Sequence, residues 1–152
     1  MLVPKKTKFK RYHRPSLQFS CPLPKPDVIC RLLIQERNHP YLRVIFGTYG
    51  LKVRQPGWIT ARQLEATRRV LTRYVRRTGK IWIRVFPDIS ITERATESRM
   101  GSGKGAVSYW VVAVTTEIII FEISGLRRSL AHKVLRLASD KLPIKTRVFQ
   151  KY

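Results

Sequence analysis

Twenty-two excess positive charges on 152 residues, from 31 Lys and Arg against nine Asp and Glu, set the first condition on any fold this chain adopts. A compact body carrying that charge repels itself until a polyanion neutralises it, so its cations belong on faces open to one. Length allows one domain with a real core, because a chain of this size buries most of the surface it exposes when unfolded. Nucleic acid is the polyanion that fits. An anionic membrane would require ~20 consecutive apolar residues, or an amphipathic helix with Trp or Phe on its apolar side. The most apolar stretch, Val107 to Phe121, is interrupted by Thr115, Thr116 and Glu117 and reads as two strands and a turn. No membrane contact is predicted.

The chain opens Met1-Leu2-Val3-Pro4 and continues into lysines, without a secretory core or an Arg/Ser-rich presequence, which predicts that it is made where it works. Cys21 and Cys30 have no second pair, so neither a disulfide framework nor a common zinc spacing is available and reduced thiols are expected.

Residues 1–14 form a first segment. Lys5, Lys6, Lys8, Lys10, Arg11 and Arg14, interleaved with Phe9, Tyr12 and His13, leave almost nothing for a core. Such a segment suits an extended arm that orders on RNA, its rings stacking on bases; the alternative is a disordered solubilising tail. Residues 15–45 change character. Pro22, Pro24, Pro26 and Pro40 break any long helix, although Val28 to Leu33 could form a short strand or helical turn, and the whole reads as an irregular proline-rich insertion. Residues 46–152 form the domain proper.

Within that domain, Phe46 to Val53 reads as a strand with glycine bends, followed by a turn at Pro56-Gly57. The clearest helix runs from Thr60 to about Thr78, with Thr60 and Gln63 as a capping box and Gly79 placed to end it in the left-handed conformation. At about 100° per residue, Arg69, Arg73 and Arg76 fall within about 40° of Arg62, while Leu64, Leu71 and Val75 lie near 180 to 220°. A charge run is commonly just a solvated face. Here Glu65 is the only acid against Arg62, Arg68, Arg69, Arg73, Arg76 and Arg77, so the mixed-sign pairs of a solvated helix are missing and a phosphate-facing row is the better reading.

Lys80 to Phe86 alternates as a strand, and Val107 to Val114 and Ile118 to Ile123 read as two more. A second helix, about Leu126 to Lys141, places Leu126, Leu130, Val134, Leu137 and Ala138 on one face, and Ile144 to Phe149 gives a last strand. This order, without a repeating strand-helix-strand unit, predicts an α+β fold: an antiparallel or mixed β-sheet with two α-helices packed on it, a basic N-terminal arm and a long glycine-rich loop.

The loop, Pro87 to Ala106, is long enough to be functional. It ends Arg99-Met100-Gly101-Ser102-Gly103-Lys104-Gly105, where glycines permit close backbone approach to a ligand and Arg99 and Lys104 supply charge. A nucleotide-binding P-loop would need Gly at Ser98 and Ser or Thr at Gly105, so the magnesium-holding hydroxyl is missing. Ser102 lacks the strand-to-helix elbow of a nucleophile. His13, His39 and His132 are scattered over tail, insertion and helix, His132 on a helix surface, and the carboxylates show no pairing. His39 with Cys21 and Cys30 would lack a fourth zinc ligand. No catalytic residue, metal or cofactor is expected.

Several motifs in order carry a resemblance: Pro4-Lys5-Lys6-Thr7-Lys8-Phe9; Ile59-Thr60-Ala61-Arg62-Gln63-Leu64-Glu65-Ala66; Gly79-Lys80-Ile81-Trp82-Ile83-Arg84-Val85-Phe86-Pro87-Asp88; and Arg99 to Gly105. With Tyr109-Trp110-Val111 and Lys141 to Thr146, they resemble the large-subunit ribosomal protein L-sixteen family of bacteria and organelles over residues 1–14 and 46–152. The resemblance implies an α+β ribosomal protein, not an enzyme. It implies binding to large-subunit rRNA beside the aminoacyl-tRNA site, with the loop directed at the peptidyl transferase region, contact with aminoacyl-site tRNA and neighbouring ribosomal proteins, support of subunit assembly, and no homo-oligomer. On it, Lys5, Lys6, Lys8, Lys10, Arg11, His13, Arg14, Arg62, Arg69, Arg73 and Arg76 are the expected rRNA contacts, and Arg99, Met100, Gly101, Ser102, Gly103, Lys104 and Gly105 the expected tRNA-side loop. Residues 15–45 depart from the family's shorter Gly- and Arg-rich stretch. Leu71 to Arg77 resembles plastid members, which points to the chloroplast ribosome, with mitochondrial and bacterial ribosomes as alternatives. A free RNA-binding module or chaperone is the competing class; it is distinguished by binding arbitrary duplexes without associating with subunits.

Overall fold

In the computed structural model, residues 2–13, 40–76, 78–101 and 103–151 are described; most of the proline-rich insertion, with Cys21, Cys30 and His39, lies outside them, as do Arg14, Arg77 and Ser102. After a single 3-10 turn at Pro40–Leu42 come β1 (Tyr49–Val53), β2 (Gly57–Thr60), α1 (Ala61–Val75), β3 (Lys80–Ile83), β4 (Ile89–Glu93), β5 (Ala106–Val114), β6 (Ile119–Ser124), α2 (Arg128–Ser139) and β7 (Thr146–Gln150). The α+β class stands, but the strands form two sheets instead of one. A four-stranded sheet has the order β3-β6-β1-β7 and a three-stranded sheet the order β2-β5-β4. Every strand pair among the described residues is antiparallel.

The second sheet is what the sequence pattern does not reveal. β4 lies inside the stretch that reads as twenty residues of loop, and β2 occupies the residues that read as a turn leading into the helix cap. Both pair with β5, the longest strand, whose β-branched and aromatic side chains suit a half-buried pleat. The working loop therefore shrinks to residues 94–105 between β4 and β5.

The core lies between the helices and one face of the four-stranded sheet. Leu51, Phe121 and Ile123 from that face, Ile59 and Val114 from the smaller sheet, Leu64 and Leu71 from α1, and Ala131, Val134, Leu135 and Ala138 from α2 form one cluster. The α1 packing face is the one its period predicts. For α2 the phase differs slightly: Ala131 and Leu135 are buried, whereas Leu130 is exposed. His132 is not a plain surface residue, since its ring meets Tyr49 edge-on at 5.9 Å.

The two ends of α1 are closed by different means. Its start is a complete capping box: Gln63 N donates to Thr60 Oγ1 at 3.2 Å, and Thr60 N donates to Gln63 Oε1 at 2.9 Å. At the other end the chain turns at Arg76, with φ 50° and ψ −130°, and not at Gly79, where the sequence places a left-handed residue. Gly79 is needed for a different reason, because a Cβ there would collide with the carbonyl oxygen of Ser124.

The outer face of the four-stranded sheet is crossed by residues 43–47. Trp82, Glu122 and Gly50 are register partners on that face, and a Cβ at Gly50 would run into the Val44 side chain at 2.8 Å. Glu122 is fully buried there. Its carboxylate accepts hydrogen bonds from the amides of Ile45 at 3.1 Å, Phe46 at 2.7 Å and Gly47 at 2.8 Å, and it pairs with the Arg84 guanidinium. A buried carboxylate survives only with such compensation, so this staple fixes the crossing segment to the sheet.

Candidate nucleic-acid interface

Among the described residues, two surfaces gather most of the cations that the sequence singles out. On α1, Arg62, Arg69, Arg73 and Arg76 are all exposed, opposite the buried Leu64, Leu71 and Val75. The capping box fixes where the helix begins and hence the phase of this row. The row is not uniform, however. Glu65 accepts from Arg68 at 2.9 and 2.7 Å and from Arg69 at 3.3 Å. The Arg68 hydrogen bonds hold its carboxyl down at about 2, against an opposing push from burial and with further help from Arg69. Arg69 is thus shared with an acid, while Arg62, Arg73 and Arg76 make no ion pair among the described residues.

In the sequence α2 reads as a packing helix, and what it adds to this surface goes unseen. A groove of about 550 Å³ between the helices is lined by Arg69, Arg73, Tyr74, Leu137, Asp140 and Lys141, among others. It adjoins, through Leu137 and Asp140, an open hollow of about 770 Å³ walled by Arg127, Arg128, Lys133, Arg136 and His132. Asp140 is the one acid among the described residues of either wall. The signal is present in the sequence, since Arg127, Arg128, Lys133 and Arg136 come before any acid in that segment. It is easily overlooked because these cations do not fall into one stripe. Together the helices present a basic layer with an exposed tyrosine in its groove, suited to phosphates spaced along a backbone.

The second surface joins the arm to the loop. Lys5, Lys6, Lys8, Lys10, Arg11 and His13 are exposed, with Lys8 Nζ 5.4 Å from the Phe9 ring centre and Phe9 edge-on to Tyr12 at 6.5 Å. Two backbone carbonyls tie this segment down. Ser90 Oγ, on β4, donates to the Lys10 carbonyl at 2.8 Å, and Lys104 Nζ, in the loop, donates to the Tyr12 carbonyl at 2.7 Å. Leu2 packs against the core cluster.

This geometry changes the roles expected in the loop. Lys104 spends one of its donors on the arm, so it is a clasp as well as a charge. Gly101 and Gly103 have φ of 118° and 78° and open space where a side chain would be, which leaves backbone accessible at the tip. Gly105 is not part of that opening, because a Cβ there would strike the Glu93 carbonyl. Arg94 donates to the Arg99 carbonyl, bracing the loop, and Met100 stands 95% exposed. A wholly solvated Met beside open glycines has no packing role in the isolated chain. Among the described residues no helix is long and apolar enough to cross a membrane, and no three His, Cys, Asp or Glu residues gather as metal ligands.

Known proteins share this sequence over nearly its whole length. The family described as ribosomal protein L16p/L10e matches residues 33–149, so the match begins inside the proline-broken stretch. The chain is 52% identical to the large ribosomal subunit protein uL16c of Emiliania huxleyi, covering 99% of this chain and 97% of that one. It is 47% identical to the uL16c protein of Euglena gracilis, covering 99% of each, and 48% identical to that of Porphyra purpurea, covering 97% and 94%.

Proposed function

Since the chain belongs to the ribosomal protein L16p/L10e family, we propose that its two basic surfaces bind large-subunit rRNA beside the aminoacyl-tRNA site and help position the tRNA there. Membership itself carries the broader statement: the chain is a structural constituent of the large ribosomal subunit, of the plastid type, working in the chloroplast, and it is not an enzyme.

In the finer reading, the helical layer grips phosphates through Arg62, Arg73 and Arg76 together with the α2 cations. The arm threads between RNA helices through Lys5, Lys6, Lys8, Lys10, Arg11, His13 and Arg14. The loop from Arg99 to Gly105 reaches towards the tRNA and the peptidyl transferase region, where rRNA performs the chemistry. The protein acts as a single copy among neighbouring ribosomal proteins and favours late assembly of the subunit. The observation that carries this reading is the Lys104 to Tyr12 clasp, because it joins a basic arm to an exposed loop with open glycines.

Reconstituting large subunits with wild-type chain and with Arg99→Ala tests it. The Arg99 side chain is exposed, so the variant keeps its fold and its place in the subunit. Aminoacyl-site tRNA binding and elongation should both fall. Wild-type values for both would defeat the tRNA part of the reading, and a wild-type chain that stays out of the large-subunit fraction would defeat the whole.

A further inference from the structure

The segment crossing the outer face of the four-stranded sheet leaves an aromatic ring that the packing of the chain does not need. Phe46 is 56% exposed, yet it is not loose. Its ring stacks on Trp82 with centres 6.2 Å apart and planes 22° from parallel, and the Arg84 guanidinium lies 5.3 Å from its centre. Trp82 and Arg84 are two residues apart in the β3 segment and so face the same way; both support the ring from the sheet side. More than half of the residue's surface stays exposed. The backbone beneath cannot drift, because the Phe46 amide and both neighbouring amides are held by the buried Glu122 carboxylate.

We propose that Phe46, seated on Trp82, is a stacking platform for an unpaired base of RNA. Charge selects the class of partner. Lys151 Nζ reaches the Ile45 carbonyl at 3.2 Å, and Lys80, two residues before Trp82, is exposed, whereas among the described residues of this face the acid Glu122 is already engaged by Arg84. A partner must therefore bring negative charge together with a flat apolar surface. A nucleotide has both, since every base presents a π-face and carries its own phosphate. Pinning of the segment before binding removes much of the ordering cost that a mobile ring would incur. The inference rests on the nucleic-acid role proposed above and adds a mode of contact to it, with unpaired bases, at a face shared with neither the helical layer nor the arm and loop.

The test uses full-length protein with a short labelled oligoadenylate, and with polyglutamate of matched charge as the acidic-protein control. Phe46→Leu should weaken oligoadenylate binding by about 5- to 150-fold, equivalent to the ~1–3 kcal/mol of one base-aromatic stack. Phe46→Tyr should bind as wild type, and polyglutamate should not discriminate among the three proteins. Ultraviolet crosslinking of wild-type protein to the same RNA provides a readout independent of any variant, with the crosslink expected on Phe46 or Trp82. Equal oligoadenylate binding by Phe46→Leu, parallel loss of polyglutamate, or crosslinks confined to other segments would each overturn the proposal. These outcomes are separable from failure of the broader role, which is read from association of the wild-type chain with large subunits.

Discussion

Replacing Glu122 by Ala removes the acceptor around which residues 45–47 are organised. The side chains of Glu122 and Arg84 are 0% and 8% exposed, so the change leaves a buried guanidinium without its carboxylate. Breaking a buried pair from one side costs about 3–5 kcal/mol. The three released amides add less than their nominal desolvation penalty, because the segment can lift off and give them to water. For a domain of this size each kcal/mol lowers Tm by about 2–4 °C, so a fall of roughly 6–20 °C is expected. Native-state hydrogen exchange should show the amides of Ile45, Phe46 and Gly47 losing protection while those of β1 keep theirs. The paired replacement Glu122→Leu with Arg84→Met should recover most of the loss, since an apolar pair of similar volume avoids the unpaired charge. If Glu122→Ala melts within about 2 °C of wild type, or the three amides stay protected, the staple is not what holds the segment, and the Phe46 platform loses its foundation.

Other consequences can be measured on the same protein. Leu71→Ala, at a fully buried position of α1, should cost about 2–5 kcal/mol by denaturant unfolding, and an unchanged midpoint would mean the helix packs on another face. Lys104→Met should free the end of the arm beyond the Ser90 tie at Lys10 without lowering Tm, seen as faster proteolysis after Arg11; unchanged cleavage would show that the clasp does not restrain it. Glu65 has a folded pKa of about 2, below its ordinary value of 4.5, so its pairing with Arg68 stabilises the fold above the ordinary value and is lost as pH falls towards 2. Glu65→Gln should therefore be less stable than wild type at neutral pH, with the gap closing as pH falls through about 2, and a gap that persists in stronger acid would contradict the pairing. Removing Arg73 and Arg76 together should flatten the salt dependence of RNA binding by about one unit of log-log slope for each phosphate no longer neutralised; an unchanged slope would take the row out of the interface.

Much of this architecture is legible in the chain alone, for a physical reason. The position of α1 follows from a local chemical rule, the Thr60 and Gln63 box, and its two faces follow from a period that needs no partner. β5 and β6 announce themselves by β-branched runs. What escapes is either short or non-local. The four residues of β2 and five of β4 give a period of two too few repeats to rise above the surrounding loop, and only pairing with β5 makes them strands. Glu122 sits among isoleucines and phenylalanine, where a lone acid looks like an interruption; its partners lie 38 residues away at Arg84 and 75 to 77 residues away at the crossing amides. The α2 basic wall is legible as composition but not as a face, because its cations do not fall into one stripe, and the groove beside it forms only where two helices meet.

β5 has a mechanical consequence. It begins at the root of the projecting loop, at Ala106, and its Val111 is the register partner of Thr60, the residue that starts α1. The strand steps from Ala106 to Val111, with the bulge facing Ile91 and Thr92 among them, therefore set the spacing between the base of the tip and the head of the arginine row. That spacing falls short of the roughly 17 Å that five regular steps of about 3.4 Å would span. Shortening or lengthening that strand by one residue would leave every cation in place, yet it would mismatch the two grips like a wrench set to the wrong bolt.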